Sequence, residues 1–123
     1  MEKVKVIDHK GKNIVYLDFS YGDMLGQRQE VLDIIEEAKA FICKQAPNSL
    51  LTLTNGTGLR FSMELVDTLK DLTTHNKPYV KAAAIVGVKG IQKIAYDTVM
   101  RFTKRNIPIF PSVEEAMDWL VEQ

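Results

Sequence analysis

Apolar and polar positions change period several times along the chain, and each change marks an element. Val4-Lys5-Val6 alternates as a half-buried strand does. His9-Lys10-Gly11-Lys12 reads as a turn, with Gly11 supplying a positive φ. Asn13–Phe19 (NIVYLDF) follows, rich in β-branched and aromatic residues. So short a link makes the two strands an antiparallel hairpin. Ser20-Tyr21-Gly22-Asp23 interrupts, with Asp23 as the expected N-cap of a long helix. Val31, Ile34, Ile35, Ala38, Phe41 and Ile42 then form one apolar stripe, and the helix is expected to reach about Ala46, before Pro47. Cys43 falls near that stripe as a small core or boundary residue.

The second half repeats a strand–helix alternation. Leu50–Thr54 (LLTLT) is nearly continuous in apolar character, as a strand buried on both faces is. Asn55-Gly56-Thr57-Gly58 is a loop, and Ser62 caps a helix whose Leu65, Val66, Leu69 and Leu72 face inward. Phe61 can staple onto Val66. Val80–Val86 (VKAAAIV) is the next strand, and its alanines imply that something packs very close to the sheet. Gly87-Val88-Lys89-Gly90 leads to a helix with Ile91, Ile94, Ala95, Val99 and Phe102 on its expected inner face. Ile107–Phe110 is a last strand, held to a sheet edge by Pro108. Ser112-Val113-Glu114-Glu115 is a capping box that opens a closing helix. The order β-β-α-β-α-β-α-β-α predicts a single α/β domain over 1–123, with a mostly parallel five-stranded mixed sheet and an N-terminal hairpin.

Composition narrows the functional classes. Lys plus Arg and Asp plus Glu number 16 each, so the net charge is zero, and a general nucleic-acid binder is not expected. Charge is nonetheless uneven: residues 76–105 carry seven cations and one anion, and residues 106–123 carry four anions and no cation. Such blocks form either a polar partner face or solvated helix faces that neutralise one another. A single cysteine excludes an internal disulfide and fits a reducing compartment. His9 and His75 have no Cys, Asp or His at ligand spacing, so no metal and no cofactor are expected. The charged first residues lack an apolar leader, and the longest apolar run, Ala82–Val86, is far too short for a membrane span. A soluble, cytoplasmic domain without stable membrane insertion is the expectation.

The element order, together with Ala82-Ala83-Ala84-Ile85-Val86-Gly87 and the ending Ile109-Phe110-Pro111-Ser112-Val113-Glu114-Glu115-Ala116-Met117-Asp118-Trp119-Leu120, resembles the STAS superfamily (the anti-sigma-factor antagonist domain). The last third is most similar to its sporulation stage II antagonist-like branch. The resemblance implies a regulatory, non-enzymatic module that binds a protein partner or a second copy of itself. Antagonists of this superfamily carry a phosphorylatable serine in an Asp-Ser-Ser/Thr-Gly pattern at the start of the helix after the third strand. Ser62, in Leu59-Arg60-Phe61-Ser62-Met63-Glu64-Leu65, falls near that place, but no Asp precedes it and no Gly follows. Ser62 is therefore read as an N-cap at which a phosphate would be tolerated by the helix dipole.

Loops at the carboxyl ends of parallel strands collect on one edge, where ligands usually bind. Tyr21-Gly22-Asp23, Asn55–Gly58 and Gly87–Gly90 qualify. Asn55 and Thr57 can hydrogen-bond a ligand or simply make the turn. Gly87, Lys89 and Gly90 offer bare backbone N–H groups and one cation to an anion, or only a turn. Asp18, near the end of the second strand, is a weak candidate for a general base, because the sequence offers no acid or nucleophile at readable spacing from it. A regulatory binding module is the leading expectation, and a carrier or sensor of a small apolar or anionic ligand the alternative.

Overall fold

The first two strands form because β-branched residues alternate across a two-residue reverse turn. In the computed structural model, which describes residues 4–20, 28–59 and 63–123, β1 (Val4–His9) pairs antiparallel with β2 (Lys12–Asp18) in the register Val6↔Val15. Lys10 (φ 51°) and Gly11 (φ 84°) both take positive φ, which matches the right-handed twist of the hairpin. The chain continues as α1 (Arg28–Ile42), β3 (Leu50–Asn55), α2 (Met63–Asn76), β4 (Val80–Val86), α3 (Gln92–Thr103), β5 (Ile109–Phe110) and α4 (Val113–Val121). The sheet order is β1-β2-β3-β4-β5, parallel from β2 onward. The predicted α/β class, strand count and hairpin are all present.

Each β2-to-β5 step is a crossover to the neighbouring strand, and right-handed crossovers of this kind place their helices on one face. Side-chain parity bears this out. Val15 and Leu17 of β2 join Val31, Ile34, Ile35 and Ala38 of α1 and Leu65 and Leu72 of α2 in one core. Val80 and Ala83 of β4 meet Val99 and Met100 of α3 in a second. The alternate residues Ile14, Leu51, Leu53, Ala84 and Val86 face the other way, where α4 inserts Ala116 and Leu120, both fully buried. One nine-residue helix thus covers the second face, and Ala82 and Ala84 let it approach closely. Ser112, extended at φ −145°, caps it by accepting the Glu115 N–H at 3.2 Å.

Three expectations are corrected. The long helix stops at Ile42, four residues before Ala46, and Cys43 is exposed, its thiol directed to the Ala40 carbonyl at 3.4 Å. The last strand is only Ile109–Phe110, because Pro108 cannot donate and contributes just its carbonyl, which accepts from Ile85 N–H at 3.0 Å. The third correction concerns α3. Its inner face is Tyr96, Val99, Met100 and Thr103, whereas Ile91, Ile94 and Phe102 are 83%, 67% and 62% exposed. The helix carries two overlapping apolar stripes, and the phase is set by Val99 and Met100 packing on β4 and by the Tyr96 hydroxyl donating to the Ile107 carbonyl. The expected cap at Asp23, the loop Tyr21-Gly22-Asp23, Phe61 and Ser62 lie outside the described residues.

Candidate functional site

The carboxyl ends of β2, β3 and β4 bring the predicted loops side by side. After β3, the Asn55 side chain closes an Asx turn by accepting the Thr57 N–H at 3.0 Å. Its amide nitrogen donates to the Tyr16 hydroxyl at 2.9 Å. Both polar ends of Asn55 are thus engaged in holding the loop to β2. The backbone is tied on both flanks as well: Phe19 N–H donates to the Asn55 carbonyl at 2.9 Å, and Gly56 N–H to the Val86 carbonyl at 2.9 Å.

After β4, Gly87 takes φ +83° and passes so close to Thr57 that only a residue without a Cβ fits. Thr57, Gly87 and Lys89 line one open hollow of about 480 Å³, together with Phe110 at the end of β5 and Pro111 and Ser112 leading into the closing helix. Gly90, at φ +57°, points to open space. Lys89 is exposed, and its N–H donates to the Gln92 side-chain oxygen at 3.0 Å. Gln92 reaches further: its amide donates to the carbonyls of Gly56 (3.0 Å) and Leu59 (2.8 Å). Gln92 therefore clamps the start of α3 to the β3–α2 loop. Nothing local in the sequence marks it, since one glutamine at a helix start is ordinary until the loops are seen together.

Other candidates settle elsewhere. Asp18 accepts from the Ser20 N–H at 3.0 Å and from the Ser20 hydroxyl at 2.5 Å, a local turn at the end of β2. His75 packs against Tyr79 with ring centroids 5.9 Å apart and bonds the Asn76 side chain at 2.9 Å. His9, at the hairpin, meets Asp118 of α4 at 2.7 Å, and Lys10 joins at 3.0 Å, so the turn is latched to the closing helix. These bonds, that from His9 foremost, hold the Asp118 carboxyl below the usual carboxylate range. No group of three His, Cys, Asp or Glu able to hold a metal occurs among the described residues. Nor is any described helix long and apolar enough to cross a membrane.

The surface feature that departs most from a wet helix face is the outside of α3. Ile91, Ile94, Thr98 and Phe102 follow one another at helical spacing, and Met63, at the start of α2, is 84% exposed. Lys93, Arg101 and Lys104 flank this stripe, and Lys70 of α2 sits over the Phe102 ring at 4.7 Å. No family model, curated protein or solved structure matches the chain.

Proposed function

We propose that the chain is a regulatory binding module that docks a protein partner through the outer face of α3. The observation that carries the reading is the exposure of Ile91 and Ile94, whereas among the described residues the other large aliphatic side chains, Val6 and Met63 apart, are buried or half-buried. Single exposed apolar residues need no explanation, but a stripe of them along one helix, rimmed by charge, is the usual make-up of an interface. The rim is mostly cationic, Lys93, Arg101 and Lys104 against the one anion Asp97 on the same flank, so a complementary surface is apolar with more acidic than basic groups at its edge.

The polar groups at the carboxyl edge support the same reading. Asn55, Gln92 and Asp18 are spent on holding loops and turns, so the edge is built to position backbone. The resemblance to the STAS superfamily is consistent with a regulatory role, but fold alone does not carry function. Within that resemblance Ser62 keeps its place as a candidate phosphosite, one residue before the exposed Met63.

Affinity capture with the wild type and with Ile91→Asp/Ile94→Asp tests the reading, because both side chains lie in solvent and the double variant keeps the core intact. A protein retained by the wild type and lost by the variant is the expected result; identical retention by both baits rejects it. Sedimentation velocity on the two proteins separates a foreign partner from a second copy, for which the acidic Glu114 and Glu115 of α4, with Glu122 just past its end, supply the complementary charge.

A further inference from the structure

Between the sheet and the layer formed by α2 and α3 lies a cavity of about 100 Å³. It exists because β3 and β4 present small side chains on this face, Thr52 and Ala83 paired across the ladder, opposite the small Ala95 of α3. Most of its wall is apolar, including Leu17, Leu59, Leu72 and Val99. Polar residues interrupt that wall, Thr52, Asn76 and Arg105 from three separate segments among them; Thr54, Thr73 and Tyr96 are the others, the Tyr96 hydroxyl being committed to the Ile107 carbonyl. The Thr52 hydroxyl, on a residue only 6% exposed, has no hydrogen-bond partner among the described residues. Asn76, also 6% exposed, engages its side-chain oxygen with His75, and its amide nitrogen has no acceptor among the described residues. Arg105 completes the set. Lys104, left-handed at φ 58°, ends α3 and turns the chain so that the Arg105 guanidinium reaches α2, where it donates to the Thr73 carbonyl at 3.5 Å.

Every one of these groups offers a donor. Arg105 has five N–H donors and a single long bond, Asn76 an unused amide, and Thr52 a free hydroxyl. Among the described residues no Asp or Glu lines the cavity, and none pairs with Arg105. Burial also lowers the Arg105 pKa, the mark of a cation taken partly out of water without a counter-ion. A wall whose one charge is a cation, with a spare amide nitrogen beside it that can only donate, favours an acceptor head on a hydrocarbon body. The volume sets the size: a dry cavity of about 150 Å³ takes one benzene, so a space of about 100 Å³ fits a body of about four carbons.

We propose that this cavity binds a short-chain aliphatic carboxylate, its head held by Arg105, Asn76 and Thr52 and its tail directed toward Leu59 and Ala95. This site lies inside the layer, apart from the outer α3 face, so either can fail without the other.

Butanoate, butanol and butylammonium are the probes, titrated into the ¹⁵N-labelled full chain. Saturable shifts by butanoate at Thr52, Ala83, Val99 and Arg105, with a rise in the melting midpoint, are expected, together with weaker binding of butanol and none of butylammonium. Arg105→Gln should weaken butanoate about tenfold or more while changing butanol less than about twofold. Thr52→Val, which keeps the side-chain shape, gives a second reading of the head contacts and should weaken butanoate about threefold or more. Butanol binding as tightly as butanoate overturns the head assignment, as does indifference of butanoate to both variants. Absence of cavity shifts at about 10 mM butanoate, leaving only water in the space, overturns the site.

Discussion

A Cβ built on Gly87 would stand 2.6 Å from the Cα of Thr57, a distance that real side chains do not reach. The loops after β3 and β4 therefore meet with the Gly87 backbone against both the backbone and the side chain of Thr57, and the Gly56 N–H to Val86 carbonyl bond at 2.9 Å fixes the approach. This contact brings the start of α3 next to the start of α2, where Met63, Ile91 and Ile94 lie exposed. The candidate docking face depends on it.

Gly87→Ala should accordingly lower stability by about 2 kcal/mol or more, the left-handed penalty of about 1 kcal/mol plus displacement of Thr57. Gly90→Ala is the control: φ is also positive, at +57°, but a Cβ there meets nothing. It should cost only the conformational part, about 1 kcal/mol. Urea unfolding of the three proteins reads the difference; equal losses would mean that the Thr57 contact carries no weight.

Asn55 and Tyr16 join adjacent strands through one hydrogen bond, and Asn55 also closes the turn to Thr57. Asn55→Ala removes both and should cost about 1–3 kcal/mol, Tyr16→Phe about 1 kcal/mol. Because the two residues share a bond, the double variant should lose less than the sum, with a coupling of about 0.5–1.5 kcal/mol. Additive losses in chemical unfolding would show that the bond is not made in solution.

How far this architecture was legible follows from the kind of signal each element sends. The hairpin declared itself through Gly11, the strand Val80–Val86 through its unbroken small and β-branched run, and the closing helix through Ser112 and Glu115. These are local rules, and local rules survive folding. The face of α3 was not legible, since Ile91, Ile94 and Phe102 form as good a stripe as Tyr96, Val99 and Met100. Only the tertiary partners on β4 and at Ile107 choose between them. The alanines show the same limit. Ala82 and Ala84 do admit a close helix, but Ala83, one residue between them, faces the cavity. Of the candidate residues, Thr57, Gly87 and Lys89 come together, and Asn55 is turned to its own loop. The clamp by Gln92 and the polar wall of Thr52, Asn76 and Arg105 depend on contacts 24 or more residues apart in sequence, which no short pattern encodes.

Thr52→Val should stabilise the ligand-free chain by about 1 kcal/mol. The hydroxyl is buried without a partner, and replacing it by a methyl of the same shape removes the desolvation cost while adding apolar contact. Thr103 is the comparison, equally buried at 8% exposure but with its hydroxyl bonded to the Val99 carbonyl at 2.7 Å. Thr103→Val should be neutral or destabilising. Thermal unfolding in buffer free of carboxylic acids checks the pair; a loss at Thr52 would mean that its hydroxyl has found a partner.

The latch of Asp118 to His9 and Lys10 gives the fold a pH dependence whose sign can be worked out. Accepting bonds from His9 first and Lys10 second lowers the Asp118 pKa in the folded chain, while in the unfolded chain the carboxyl titrates at its ordinary value near 4. The contribution is therefore complete above about pH 4 and is lost as the pH falls through the lowered folded value. Asp118→Asn should melt below the wild type near neutral pH, and the two curves should converge toward about pH 2. The side chain is 42% exposed, so the gap should be small and should narrow with added salt. Melting curves at about pH 7, 5, 3 and 2 measure it. A gap that stays constant into acid would mean that the amide variant loses packing and not charge, and the latch would then have no electrostatic part.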